Sequence, residues 1–108
     1  MVLVVLEVCL ASLAINEVQS LTDLATATSV SSWKLNTSWT VGDPCLFQWY
    51  GVKCNSANTT VVRLNLAGNS LQGTIPSSIS YLVSLTYLGL SSNSLSGSLP
   101  QGLGTIST

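Results

Sequence analysis

Residues 61–84 read VVRLNLAGNSLQGTIPSSISYLVS and residues 85–108 read LTYLGLSSNSLSGSLPQGLGTIST, one pattern repeated at a stride of 24 positions. Seven positions are identical: Leu64 with Leu88, Leu66 with Leu90, Asn69 with Asn93, Ser70 with Ser94, Leu71 with Leu95, Gly73 with Gly97, and Pro76 with Pro100. Four further pairs stay apolar, namely Val61 with Leu85, Ile75 with Leu99, Ile79 with Leu103, and Leu82 with Ile106. A fixed stride of this length is the signature of a solenoid, whose units bury their apolar faces only against one another.

Each unit opens L-x-x-L-x-L. The last two leucines alternate as in a short strand, with Leu64 and Leu66 on one face and Asn65 on the other. Asn69 and Asn93 end the strands, where a side-chain amide satisfies backbone groups that a bend would otherwise bury unpaired. Gly73 and Gly97 permit a backbone that a side chain would hinder, and Pro76 and Pro100 fix φ where a short helical turn starts. Ile79 and Leu82, three apart, then share one face of a 3₁₀ or α turn.

The composition removes several function classes. Only Lys34, Lys53 and Arg63 are basic and only Glu7, Glu17, Asp23 and Asp43 acidic, so no charged patch exists to grip a nucleic-acid backbone. Histidine is absent, and nothing ionisable follows Arg63 except Tyr81, Tyr87 and the terminus. No nucleophile–base pair, metal cluster or phosphate loop can be assembled, and no cofactor is implied.

Residues 2–15 form an apolar run too short to span a bilayer and suited to the hydrophobic region of a signal peptide. Small residues at Val18 and Ser20 place the expected cut after Ser20. That removes Cys9 and leaves Cys45 and Cys54, an even pair suited to an oxidising compartment. Asn36-Thr37-Ser38 and Asn58-Thr59-Thr60 are acceptor sequences for N-glycosylation in polar stretches. Between these features, Leu24, Ala27, Val30 and Trp33 recur every three residues, which predicts one face of a short helix with Asp23 in its first turn.

The unit pattern resembles the plant-specific class of extracellular leucine-rich repeats, with consensus L-x-x-L-x-L-x-x-N-x-L-x-G-x-I-P. Leu85, Leu88, Leu90, Asn93, Leu95, Gly97, Leu99 and Pro100 fill it in the second unit, and Ile75 precedes Pro76 in the first. The stretch WTVGDPCLFQWYGVKC at 39–54 is similar to the N-terminal cap of that family, through Trp39, Pro44, Cys45, Trp49, Gly51, Val52 and Cys54. The family's cap carries a longer helical arm, so the arm here reads as shortened. The resemblance implies a Cys45–Cys54 disulfide closing a ten-residue loop, worth roughly 2 to 3 kcal/mol in the chain-entropy model. The competing reading, a redox or metal pair, is disfavoured by the absence of C-x-x-C spacing and of histidine. Trp49 and Val52 are expected to cover the first repeat's apolar edge.

The implied fold is an α/β solenoid with short parallel strands on the concave side, 3₁₀ and loop segments on the convex side, and a helical, disulfide-stapled cap. Its divisions are a signal peptide at 1–20, the cap at 21–60, and repeats at 61–84 and 85–108. In this family, non-leucine strand positions of the concave face contact ligands. Here these are Arg63, Asn65, Ala67 and Gly68, then Tyr87, Gly89, Ser91 and Ser92. Arg63 and Tyr87 fall side by side, and both residue types concentrate interface energy.

The implied function is non-catalytic recognition of a protein or peptide ligand, or of a partner ectodomain, at the start of a secreted or cell-surface receptor-like kinase or co-receptor. A secreted cell-wall leucine-rich-repeat protein, hydrolase-inhibiting or structural, is the alternative, as is an inactive truncated product. Three strands present on the order of 130 to 200 Å² of concave surface. Stable partners bury about 800 Å² per side. Strong binding therefore requires further repeats.

Overall fold

The structure, a computed structural model, describes residues 13–97. The start of the expected leader, with Cys9, lies outside the described residues, as do Leu99, Pro100, Leu103 and Ile106 of the second unit.

Helix α1 spans Ile15–Ala27 and buries Glu17, Ser20, Leu21, Leu24 and Ala25. These fall at i, i+3, i+4, i+7 and i+8, the stripe a helix needs to lie on a core. Thr28 closes the helix, its N–H and its hydroxyl both donating to the Leu24 carbonyl at 3.0 and 2.6 Å. Ser29 then turns left-handed at φ 60° into a 3₁₀ turn at Val30–Ser32.

This corrects the expected arm. The three-residue recurrence does not mark one helix, because Val30 lies in the 3₁₀ turn and Trp33 is extended. Asp23 sits in the helix's second half and not in its first turn. The boundary expected between residues 20 and 21 falls inside α1. The poor helix propensity of its Thr residues is outweighed by burial.

Glu17 explains why the helix begins so early. Its carboxylate accepts the Val61 N–H and the Thr60 hydroxyl, each at 2.8 Å, and is 5% exposed. It thereby satisfies the opening N–H of the first repeat's first strand, which no earlier repeat is there to bond. Leu13 is buried as well, its N–H donating to Asp43 Oδ2 at 2.8 Å. A further link joins the helix to the 3₁₀ turn at Ser77–Tyr81: Ser78 Oγ donates to Asp23 Oδ2 at 2.7 Å. That bond, together with one from Gln19 Nε2, lowers the Asp23 pKa below its ordinary value.

Strands β1 (Val52–Cys54), β2 (Val61–Asn65) and β4 (Tyr87–Gly89) form one sheet in the order β1-β2-β4. The repeat strands β2 and β4 are parallel, pairing Arg63 with Tyr87, Leu64 with Leu88 and Asn65 with Gly89. The cap strand β1 departs from the all-parallel expectation and runs antiparallel to β2, with Val52 opposite Leu64 and Lys53 opposite Arg63. The short turn at Asn55–Thr60 permits only that direction, since a parallel connection needs about a dozen residues. Its ends meet through Asn55 N–H donating to the Thr60 carbonyl.

A second sheet lay outside the sequence reading. Strands β3 (Gln72–Gly73) and β5 (Ser94–Leu95) pair in parallel beyond each bend. The cap stands in for the missing previous coil, since the Thr28 carbonyl accepts the Gln72 N–H at 3.4 Å. Gly73 is required here: its φ is 101°, and a Cβ would lie 2.5 Å from the Ala27 carbonyl oxygen.

The asparagines perform as read. Asn93 Oδ1 accepts the N–H groups of Asn69 and Leu71, both at 2.9 Å. Its Nδ2 donates to the carbonyls of Leu66, Leu90 and Ser91. One coil back, Asn69 makes the same exchange with the cap: Oδ1 accepts the Leu35 N–H at 2.7 Å, and Nδ2 donates to the Leu35 carbonyl at 2.8 Å.

One apolar cluster runs through cap and repeats, from Leu13 and Trp33 to Leu85 and Leu88. Leu64, Leu66, Leu71 and Ile79 are fully buried, while Leu90 and Leu95 are half-buried against the cluster. Trp33, Trp39 and Trp49 pack consecutively, the first pair edge-to-face and the second tilted, with ring centroids 4.8 and 4.9 Å apart. Each indole N–H donates to a backbone carbonyl: Thr28, Tyr50 and Val41 respectively. Trp49 is buried as expected and Val52 is half-buried.

Two substitutions should move stability in opposite directions. Asn69→Ala strands the Leu35 N–H and carbonyl and is expected to cost about 2 to 4 kcal/mol in denaturant unfolding. Ser20 Oγ is buried without a hydrogen-bond partner. Ser20→Ala is therefore expected to raise stability by roughly 1 kcal/mol in the same titration.

Candidate functional site

The leucines of β2 and β4 turn inward, so the alternate positions of the same strands form the exposed face of the sheet. Register places Lys53, Arg63 and Tyr87 in one row across three adjacent strands, with Asn65 and Gly89 two residues further along. Of the expected face residues, Arg63, Asn65, Tyr87 and Gly89 are brought together. Ser91 lies past the end of β4, and its carbonyl is taken up by the Gly68 N–H at 2.9 Å, a structural use. Ala67, Gly68 and Ser92 are exposed or in turns rather than on strands.

The Arg63 guanidinium carbon stands 4.4 Å from the centroid of the Tyr87 ring. This is within the range of a cation–π contact. The ring is held by the gap at Gly89. A Cβ there would meet Asn65 Oδ1 at 2.6 Å, Tyr87 Cε2 at 2.9 Å and the Tyr87 hydroxyl at 3.1 Å. Gly89 thus lets the phenol lie along its own strand, and the ring in turn covers Gly89, which is buried. Asn65 Oδ1 is oriented by the Ala67 N–H at 3.2 Å.

Lys53 was not singled out by the sequence reading, because its place depends on the antiparallel register of β1. That strand is anchored by the Cys45–Cys54 disulfide, whose Cα atoms are 5.8 Å apart. Asp43, also missed, sets the turn at Cys45: Oδ1 accepts the N–H groups of Cys45 and Leu46 at 2.8 and 3.1 Å. An acidic residue just before Pro-Cys is the signal that would have found it.

Beside β1, a shallow cleft of about 290 Å³ is lined by Cys45, Gln48, Val52, Lys53, Cys54 and Asn58. Of the two expected glycosylation acceptors, Asn36 is exposed, with Nδ2 donating to the Val30 carbonyl at 3.0 Å. Asn58 is half-buried in a left-handed turn. No helix among the described residues is long and apolar enough to cross a membrane.

A sequence model of the Leucine Rich Repeat family matches residues 60–82 and 84–106. The chain is 44% identical over 54 residues to a nodulation receptor kinase of Pisum sativum, an alignment covering 47% of this chain and 6% of that protein. It is 39% identical over 79 residues to a probable leucine-rich-repeat receptor-like protein kinase of Arabidopsis thaliana, covering 68% of this chain and 9% of the relative. The chain thus spans less than a tenth of either relative's length.

Among solved structures, the leucine-rich-repeat ectodomain of the receptor kinase SOBIR1 from Arabidopsis thaliana shares the fold. Its TM-score is 0.66 at 24% identity, over 87% of this chain and 50% of that one. The crystal structure of PEPR1–AtPEP1 gives a TM-score of 0.61 at 31% identity, over 82% of this chain and 12% of that one.

Gly89→Ala tests the arrangement of the face. The added Cβ should displace the Tyr87 ring from Arg63 at a cost of about 1 to 3 kcal/mol. In proton NMR, the upfield ring-current shift of the Arg63 side chain should then collapse; an unchanged shift would contradict the packing described.

Proposed function

Because residues 60–106 are leucine-rich repeats of the kind carried by plant receptor-like kinases, we propose that the chain is a non-catalytic extracellular recognition module. In this reading it forms the N-terminal part of a receptor-like kinase or co-receptor ectodomain. It contributes the first strands of a face that engages a protein or peptide ligand, or a partner ectodomain.

The observation that carries the reading is the row of Lys53, Arg63 and Tyr87, with Arg63 held against the Tyr87 ring, on a sheet whose other side is core. Rigid placement of a few large side chains lowers the entropy cost of binding. The pairing of PEPR1 with AtPEP1 in a similar solenoid is in keeping with this use. The disulfide suits the extracellular side of the membrane. A secreted cell-wall leucine-rich-repeat protein would use the same cap and face. A membrane span and kinase motifs following in the reading frame would favour the receptor, and further repeats ending in a cysteine cap the wall protein.

Processing is part of the proposal. A cut after Ser20 would discard Leu13 and the Glu17 carboxylate that holds Val61 and Thr60. The hydrogen bonds of Glu17 support a cut upstream of Glu17 instead.

Expression in plant cells from the chain's own start tests these points together. The protein should appear in extracellular fluid, retain Glu17 by mass spectrometry, and show Cys45 and Cys54 unreactive to maleimide without reductant. Intracellular retention with both thiols reactive would contradict the extracellular reading, and a mature chain starting at Leu21 would contradict the processing.

A further inference from the structure

We propose that the Lys53–Arg63–Tyr87 row is a carboxylate-recognition site, selecting an acidic side chain in an extended peptide; this specificity rests on the recognition reading above. Lys53 and Arg63 are two of the chain's three basic residues, yet register places them directly opposite each other on neighbouring strands. Like charges at such positions oppose pairing. A stabilising sheet would not choose this arrangement, and rule-breaking of this kind concentrates at functional sites.

Among the described residues, nothing acidic absorbs the charge. The three described carboxylates are committed elsewhere: Glu17 to Thr60 and Val61, Asp23 to Gln19 and Ser78, and Asp43 to Leu13, Cys45 and Leu46. The positive potential at the row is therefore left for a guest.

Geometry narrows the guest. The Arg63 guanidinium is held 4.4 Å from the Tyr87 ring centroid, and its planar fork of N–H donors can meet a carboxylate in bidentate fashion. Lys53, one strand away at about 4.8 Å, adds a point charge. The remaining face residues, Asn65 and Gly89, are neutral. One concentrated cationic spot on an otherwise neutral face fits a single acidic side chain, whereas an acidic polysaccharide, with its repeated charge, needs a run of cations.

The test is an NMR titration of the purified isotope-labelled chain, read at Arg63 Nε–H and the Tyr87 ring. The probes are acetyl-Gly-Asp-Gly-amide, its Asn counterpart, acetyl-Gly-Gly-Gly with a free carboxylate, and trigalacturonate. The Asp peptide should bind about fivefold more tightly than the Asn peptide. That preference should vanish in Arg63→Gln and weaken in Lys53→Gln. The Lys53 variant, at an exposed position of an edge strand, keeps the test open should the Arg63 variant lose its fold.

Equal response to the Asp and Asn peptides would overturn the carboxylate site while leaving a peptide-binding face intact. Absence of response to both would overturn it as well. Tighter binding of trigalacturonate, or of the free chain end, than of the Asp peptide would assign the row to a different guest and overturn the proposal.

Discussion

Asparagine side chains carry hydrogen bonds that the bends of this chain cannot make for themselves, and the rest of the architecture follows from that substitution. Asn93 reaches back to the N–H groups of Asn69 and Leu71 and to the Leu66 carbonyl while holding the Leu90 and Ser91 carbonyls of its own bend. Asn69 repeats the exchange with the backbone of Leu35. A bend that buries leucines at 64, 66 and 71 would otherwise strand several backbone groups, at about 1 to 3 kcal/mol each. Each asparagine therefore needs a backbone partner one coil earlier, and the first repeat has no earlier coil.

The cap is the answer to that shortage. Leu35 presents its backbone to Asn69, Thr28 presents a carbonyl to Gln72, and Glu17 supplies a carboxylate to the Val61 N–H. Three tryptophans packed ring against ring close the apolar end, and the disulfide fixes β1 against β2. With one side of the sheet engaged in the core, the other side faces outward. Lys53, Arg63 and Tyr87 occupy that side, and this division of labour is what lets a recognition surface vary while the fold persists.

The repeats were legible because their physics is periodic. Leucine spacing predicted which side chains point inward, and the asparagine, glycine and proline offsets predicted bend, left-handed position and 3₁₀ start. The cap was less legible because it imitates a repeat without repeating. Glu17 reads as a charge near the end of an apolar leader, yet it is a buried latch whose partners lie more than forty residues away. The helix face at 17, 20, 21, 24 and 25 was hidden by a competing three-residue recurrence at 24, 27, 30 and 33. Lys53 escaped notice because it joins the face only through an antiparallel pairing, and the second sheet because two-residue strands leave no hydropathy signal.

The central claim, that cap and repeats are one hydrogen-bonded unit closed by side chains, is tested most directly by native-state amide hydrogen exchange. The N–H groups of Leu35, Val61, Asn69 and Leu71 each donate to a side-chain oxygen of another segment. If the account is right, all four exchange only through global unfolding, with the same free energy as the β2 amides. Fast exchange of Leu35 and Val61 while Asn69 and Leu71 stay protected would show the cap opening on its own and would contradict it.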